Sequence, residues 1–70
     1  MEKVLNNNLR GVRNEKHVTQ MSLSKAIGVS DQHIRNIETS YTNPTIKHVL
    51  MICEFLEIEI KEVFYLTEEK

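Results

Sequence analysis

Apolar positions along the chain recur at helical spacing, in short stretches separated by polar breaks. Asn6-Asn7-Asn8 offers side-chain oxygens to the free amides of a first turn. A first helix is predicted from there to about Lys16, with Leu9 and Val12 on one face, Arg13 beside them and Gly11 as a weak point. Thr19 predicts the cap of a second helix over Gln20–Ile27, with Leu23, Ala26 and Ile27 as its apolar positions. Gly28 follows where a helix end calls for a left-handed residue. Ser30 opens a third helix, from Asp31 to about Thr39, in which Ile34 and Ile37 alone are apolar. After a loop over residues 40–44, Thr45 caps a fourth helix that reaches Leu56, read with Ile46, Val49, Leu50, Cys53 and Leu56 as its stripe. A short fifth helix is predicted over Ile60–Val63. Residues 64–67 read as a strand, and residues 3–5 are the candidate to pair with it.

The third helix departs from an ordinary core helix. Two apolar residues at i and i+3 make a narrow stripe, and the rest of its surface is Asp31, Gln32, His33, Arg35 and Asn36. Taken with the helix before it and the turn at Gly28, this stretch resembles the helix-turn-helix of the Xre family, the lambda-repressor-like domains of bacteria and phages. The residues that carry the resemblance are Thr19-Gln20, Ser24, Gly28-Val29-Ser30, Ile34, Ile37-Glu38, Asn43-Pro44-Thr45, Ile52-Cys53, Leu56-x-Ile58 and Val63-Phe64, an ordered set across about 60 of the 70 residues.

The resemblance implies an all-α, five-helix, lambda-repressor-like DNA-binding domain over residues 1–70. The helix-turn-helix is expected at about 20–39, and a small antiparallel β pairing of the terminal segments 1–5 and 64–68 is expected from their own strand pattern. It also implies sequence-specific binding of double-stranded DNA with the third helix in the major groove. Carried over residue by residue, Asp31, Gln32 and Asn36 read bases and Gln20 holds a phosphate, while Arg13 and Glu38 form an internal ion pair. Physical chemistry agrees: an amide side chain can bond adenine bidentately, Arg favours guanine, and a carboxylate can accept from cytosine. Asp31 has a second reading, a carboxylate at a helix N-terminus. His33 and Arg35 share the polar face, with His33 read as exposed or near a phosphate. The following loop is basic and glycine-containing in the family, whereas here it reads Thr39-Ser40-Tyr41-Thr42. Uncharged phosphate contacts from the loop hydroxyls, that of Tyr41 among them, and from Asn43 are the expectation there, with a shallower salt dependence.

The net charge of −1 conceals an asymmetry. Up to Cys53, seven Lys or Arg face four Asp or Glu; from Glu54 onward, two face six. A basic region and an acidic tail are separate, which suits a chain that meets DNA with one end. The longest apolar run, from Val49 to Cys53, is far below the ~20 residues of a membrane span, and the start shows no signal-peptide pattern. One cysteine cannot form an internal disulfide, so a cytoplasmic location is expected. Two glycines allow no glycine-rich phosphate loop. His48 and Cys53 are wrongly spaced to share a metal, so no metal, cofactor or catalytic site is expected.

A homodimer on a palindromic operator is expected, because one such helix touches only ~4–6 base pairs. Met51 and Phe55 are the proposed contact, with Ile58 and Tyr65, and covering the core is the alternative role for the first two. The leading function is a transcriptional repressor. An antitoxin or partner-binding regulator on the same fold is the alternative, and a co-transcribed toxin gene would favour it.

Overall fold

The computed structural model describes residues 2–68, and Met1, Glu69 and Lys70 of the expected domain lie outside them. In chain order the elements are β1 (Lys3–Asn7), α1 (Leu9–Glu15), α2 (Gln20–Ile27), α3 (Asp31–Glu38), α4 (Ile46–Leu56), α5 (Ile60–Val63) and β2 (Phe64–Glu68). Three helices start where a hydroxyl can take an amide of the first turn. Thr19 accepts from Ser22 N and Ser30 from His33 N, both at 3.0 Å, and Thr45 accepts from His48 N at 3.2 Å. Gly28 ends α2 with φ 76°, a left-handed conformation in which a side chain would be strained.

β1 and β2 pair antiparallel, from Lys3 opposite Glu68 to Asn7 opposite Phe64. The first strand therefore takes in Asn6 and Asn7. Asn8, at the N-cap of α1, makes no side-chain cap bond; Asn7 Oδ1 accepts from Leu9 N instead, at 3.0 Å. Asn7 Nδ2 donates to the carbonyl of Ile37 at 2.8 Å, so the ribbon is tied to the last turn of α3.

All five helices and β2 contribute to one core: Leu9, Val12, Leu23, Ile27, Ile34, Ile37, Val49, Ile52, Cys53, Leu56, Val63 and Phe64. Two assignments from the sequence are corrected. Ala26 is exposed, and Ser24 takes the buried place on α2. On α4, Ile46 and Leu50 are 70% and 53% exposed, and the inward residues are Val49, Ile52, Cys53 and Leu56. These four follow i, i+3, i+4, i+7, the pattern of a single helix face. The helix is apolar on several sides, so its periodicity leaves the phase open, and packing against α2 and α5 decides it. Burial, and secondarily Glu62, pushes the Cys53 thiol up from its usual range, which keeps it protonated and unreactive. No described helix is long and apolar enough to cross a membrane.

Candidate nucleic-acid interface

α3 is held to the body by its two isoleucines, both without exposed surface. The turn before it is closed by the amides of Gly28 and Val29, which both donate to the Ser24 carbonyl, at 2.9 and 3.0 Å. Ser24 also ties α2 to α3, because its buried hydroxyl meets the carboxylate of Asp31. Asp31 is half-buried and joined to this contact at the first position of α3.

Opposite the isoleucines, Gln32 and Arg35 are exposed and Asn36 is half-exposed. They form a chain: Arg35 Nη1 donates to Gln32 Oε1 and Gln32 Nε2 donates to Asn36 Oδ1, each at 2.9 Å. Thr39 ends this face, its hydroxyl donating to the Arg35 carbonyl at 3.0 Å.

His33, read from the sequence as exposed or near a phosphate, is not fully exposed. Its ring packs edge-to-face on that of His48, with centroids 5.4 Å apart, and it is half-buried. His33 Nε2 and His48 Nδ1 are buried without a protein partner, so that nitrogen of His33 is withdrawn from the surface. Beyond α3, Ser40 turns the chain with φ 62°, and Tyr41 N donates to the Asn36 carbonyl at 2.9 Å. This leaves Tyr41 and Asn43 exposed beside the polar face. The Thr42 hydroxyl is buried and unpartnered, whereas Ser40 is exposed and donates to Asn6 Oδ1 at 3.5 Å.

An open cleft of about 690 Å³ runs between α1, α2 and α3, with Arg10, Gln20, Met21, Arg35 and Thr39 along its walls. At its base Arg13 Nε meets Glu38 Oε2 at 2.7 Å, and the two side chains are 9% and 4% exposed. Arg13 Nη1 donates to the Val18 carbonyl at 2.8 Å, and Gln20 Nε2 donates to Glu38 Oε1 at 3.0 Å. Gln20 is thereby anchored to the ion pair while it stands at the start of α2. Arg13–Glu38 is the one ion pair among the described residues, so Arg10 and Arg35 have no carboxylate in direct contact, although Asp31 also lines the cleft. Arg10 escaped the sequence reading; its signal was a second arginine three residues before Arg13, on the same helix face.

The four residues suggested for an interface between copies divide evenly. Phe55 and Tyr65 are both 44% exposed, whereas Met51 and Ile58 are half-buried and lean on the core. No group of three His, Cys, Asp or Glu side chains among the described residues could hold a metal ion.

The profile of the helix-turn-helix family matches residues 9–63. A helix-turn-helix-type transcriptional regulator of Methanocaldococcus jannaschii, itself uncharacterised, is 30% identical over 66 residues, covering 94% of this chain and all of that one. Among solved structures, the restriction-modification controller protein C.AhdI of Aeromonas hydrophila superposes with a TM-score of 0.71 at 26% identity, over 77% of this chain and 82% of the other. A proposed DNA-binding protein of Bacteroides fragilis gives 0.82 at 19% identity, over 89% of this chain and all of that one. The transcriptional regulator VanUg gives 0.79 at 18% identity, over 99% and 92%. These last two establish the fold, which is lambda-repressor-like: five helices extended by a two-stranded antiparallel sheet.

Proposed function

The chain belongs to the helix-turn-helix family, and from that premise we propose that it is a transcriptional repressor, binding a palindromic operator as a homodimer with α3 in the major groove. The observation that carries this reading is the construction of α3. Two fully buried isoleucines seat it, and every outward position is a hydrogen-bonding group. A helix that enters the groove needs a thin apolar seat and a polar face. Gln32, Arg35 and Asn36 supply the donors and acceptors for base edges. Tyr41 and Asn43 flank them toward the sugar-phosphate chain. Gln20, the amides opening α2 and Arg10 face the cleft and take phosphates, with no sequence preference. Asp31 serves the α2–α3 junction. No step of this function is catalytic, it calls on no cofactor, and its place is the cytoplasm, with the genome.

Selection of bound duplexes from a random library tests the reading and returns the operator with its half-site spacing. Asn36→Ala is expected to cost ~1–3 kcal/mol on the selected operator while the fold survives. Arg10→Ala is expected to weaken all duplexes alike and to lower the salt slope by ~1. Wild-type affinity in both variants would remove α3 and the cleft from the interface.

For assembly, Phe55 and Tyr65 present the apolar surface and Met51 and Ile58 support it from below, with Glu54, Glu57 and Lys61 as a rim. A contact there would put the acidic C-terminal part away from the duplex and the basic part on it. Sedimentation equilibrium should find a dimer at micromolar concentration and a folded monomer for Phe55→Glu. A Phe55→Glu dimer would shift the contact to the other exposed flank of α4, at Ile46 and Leu50.

A further inference from the structure

The outward face of α3 has a fixed hydrogen-bond polarity before any duplex arrives. Arg35 donates to Gln32 Oε1 and Gln32 Nε2 donates to Asn36 Oδ1. The ends of the chain force its direction. A guanidinium has only donors, so it must meet the amide oxygen of Gln32; this turns Nε2 toward Asn36, which has to answer with its own oxygen. What remains to face outward is the rest of the Arg35 fork, both Nδ2 hydrogens of Asn36 and one hydrogen of Gln32. The surface is rich in donors, and each amide oxygen, already accepting once from a neighbour, keeps a single free lone pair.

That polarity selects among bases. In the major groove guanine shows two adjacent acceptors, N7 and O6, whereas adenine pairs an acceptor with a donor and cytosine shows a donor. Reading adenine bidentately requires an amide to offer its oxygen and nitrogen together, and here adenine would have to use the second lone pair of an oxygen already turned along the helix toward its donor. Arg35 is also a full positive charge without a carboxylate partner, and one of its N–H groups is held by Gln32, which limits the directions its fork can take.

Resting on the DNA-binding reading above, we infer that Arg35 reads a guanine in each half-site, and that Gln32 is a positioning residue that aims the guanidinium instead of reading adenine. Gln32 acts through Arg35, so the two should control the same base pair.

The test uses the duplex enriched from the random library and fluorescence anisotropy with the full chain. Each guanine in turn is replaced by adenine or by 7-deazaguanine, which lacks the N7 acceptor. For wild type, one guanine per half-site is expected at which adenine weakens binding roughly 5- to 150-fold, and at which the deaza base also weakens it. Arg35→Ala should abolish that preference. Gln32→Ala should lose most of it as well, with no new loss at a neighbouring adenine. Gln32→Glu still accepts from Arg35 and should restore the preference, although its added negative charge weakens every duplex. The inference falls if the guanine preference survives Arg35→Ala, if the enriched half-site has no such guanine, or if Gln32→Ala relaxes an A·T position instead. A library in which no duplex is enriched would overturn the DNA-binding reading itself, and this inference with it.

Discussion

Glu38→Ala is expected to remove most of the stability of the domain. Glu38 and Arg13 are nearly sealed from water, and Glu38 also accepts from Gln20. Alanine at 38 would leave the Arg13 guanidinium buried with the Val18 carbonyl as its remaining partner. Stranding a buried charge costs ~3–5 kcal/mol. A chain of this length has a total of roughly 4–10 kcal/mol, from ~0.05–0.15 kcal/mol per residue. The loss is therefore from about a third of the total to all of it. Urea unfolding followed by circular dichroism, at fixed protein concentration, should show the midpoint collapse for Glu38→Ala and for Arg13→Ala. Replacing both partners by apolar residues, Arg13→Met with Glu38→Leu, should be milder than either single change, because no charge is left unpaired. An unchanged midpoint in Glu38→Ala would mean that the pair is solvated and carries little.

What could be read from the sequence divides along a physical line. Thr19, Ser30 and Thr45 were legible because a cap is a local contact, a hydroxyl answering an amide three residues on. Gly28 was legible because a left-handed residue at a helix end is a backbone requirement. The phase of α4 was not. Its apolar residues surround the helix, and the choice of Ile52 over Ile46 and Leu50 is made by packing against α5 and against α2, which is distant in sequence. Ser24 was masked in the same way, since its hydroxyl meets Asp31, on another helix, besides the Met21 carbonyl of its own. The polar face of α3 looked uniform in one dimension. In space it splits into an outward chain at Gln32, Arg35 and Asn36 and an inward-facing His33 that meets His48. Arg10 carried a signal in its spacing from Arg13, but its place in the cleft is set by how α1 packs against α2 and α3.

Ile34→Ala is expected to be the most damaging change in the apolar core of the interface. α3 has eight residues, too few to persist alone, so its helicity is owed to the packing of Ile34 and Ile37. Both are fully buried, and no third apolar residue on the helix can take up the load. Truncation to alanine leaves a cavity and costs ~2–5 kcal/mol, whereas Ile34→Val, which removes a single methylene, costs ~0.5–1.5 kcal/mol. At ~4–8 °C per kcal/mol for a domain of this size, the alanine variant should melt at least ~8 °C below wild type. Calorimetry reads the loss of stability, and operator binding well below the new midpoint reads its consequence for function. The valine variant should bind as wild type does, since its outward side chains are untouched. The alanine variant should bind more weakly even while folded, because half of the seat that holds Gln32, Arg35 and Asn36 in register is gone. A drop in melting temperature confined to ~2 °C would place Ile34 in a site able to collapse around the missing atoms.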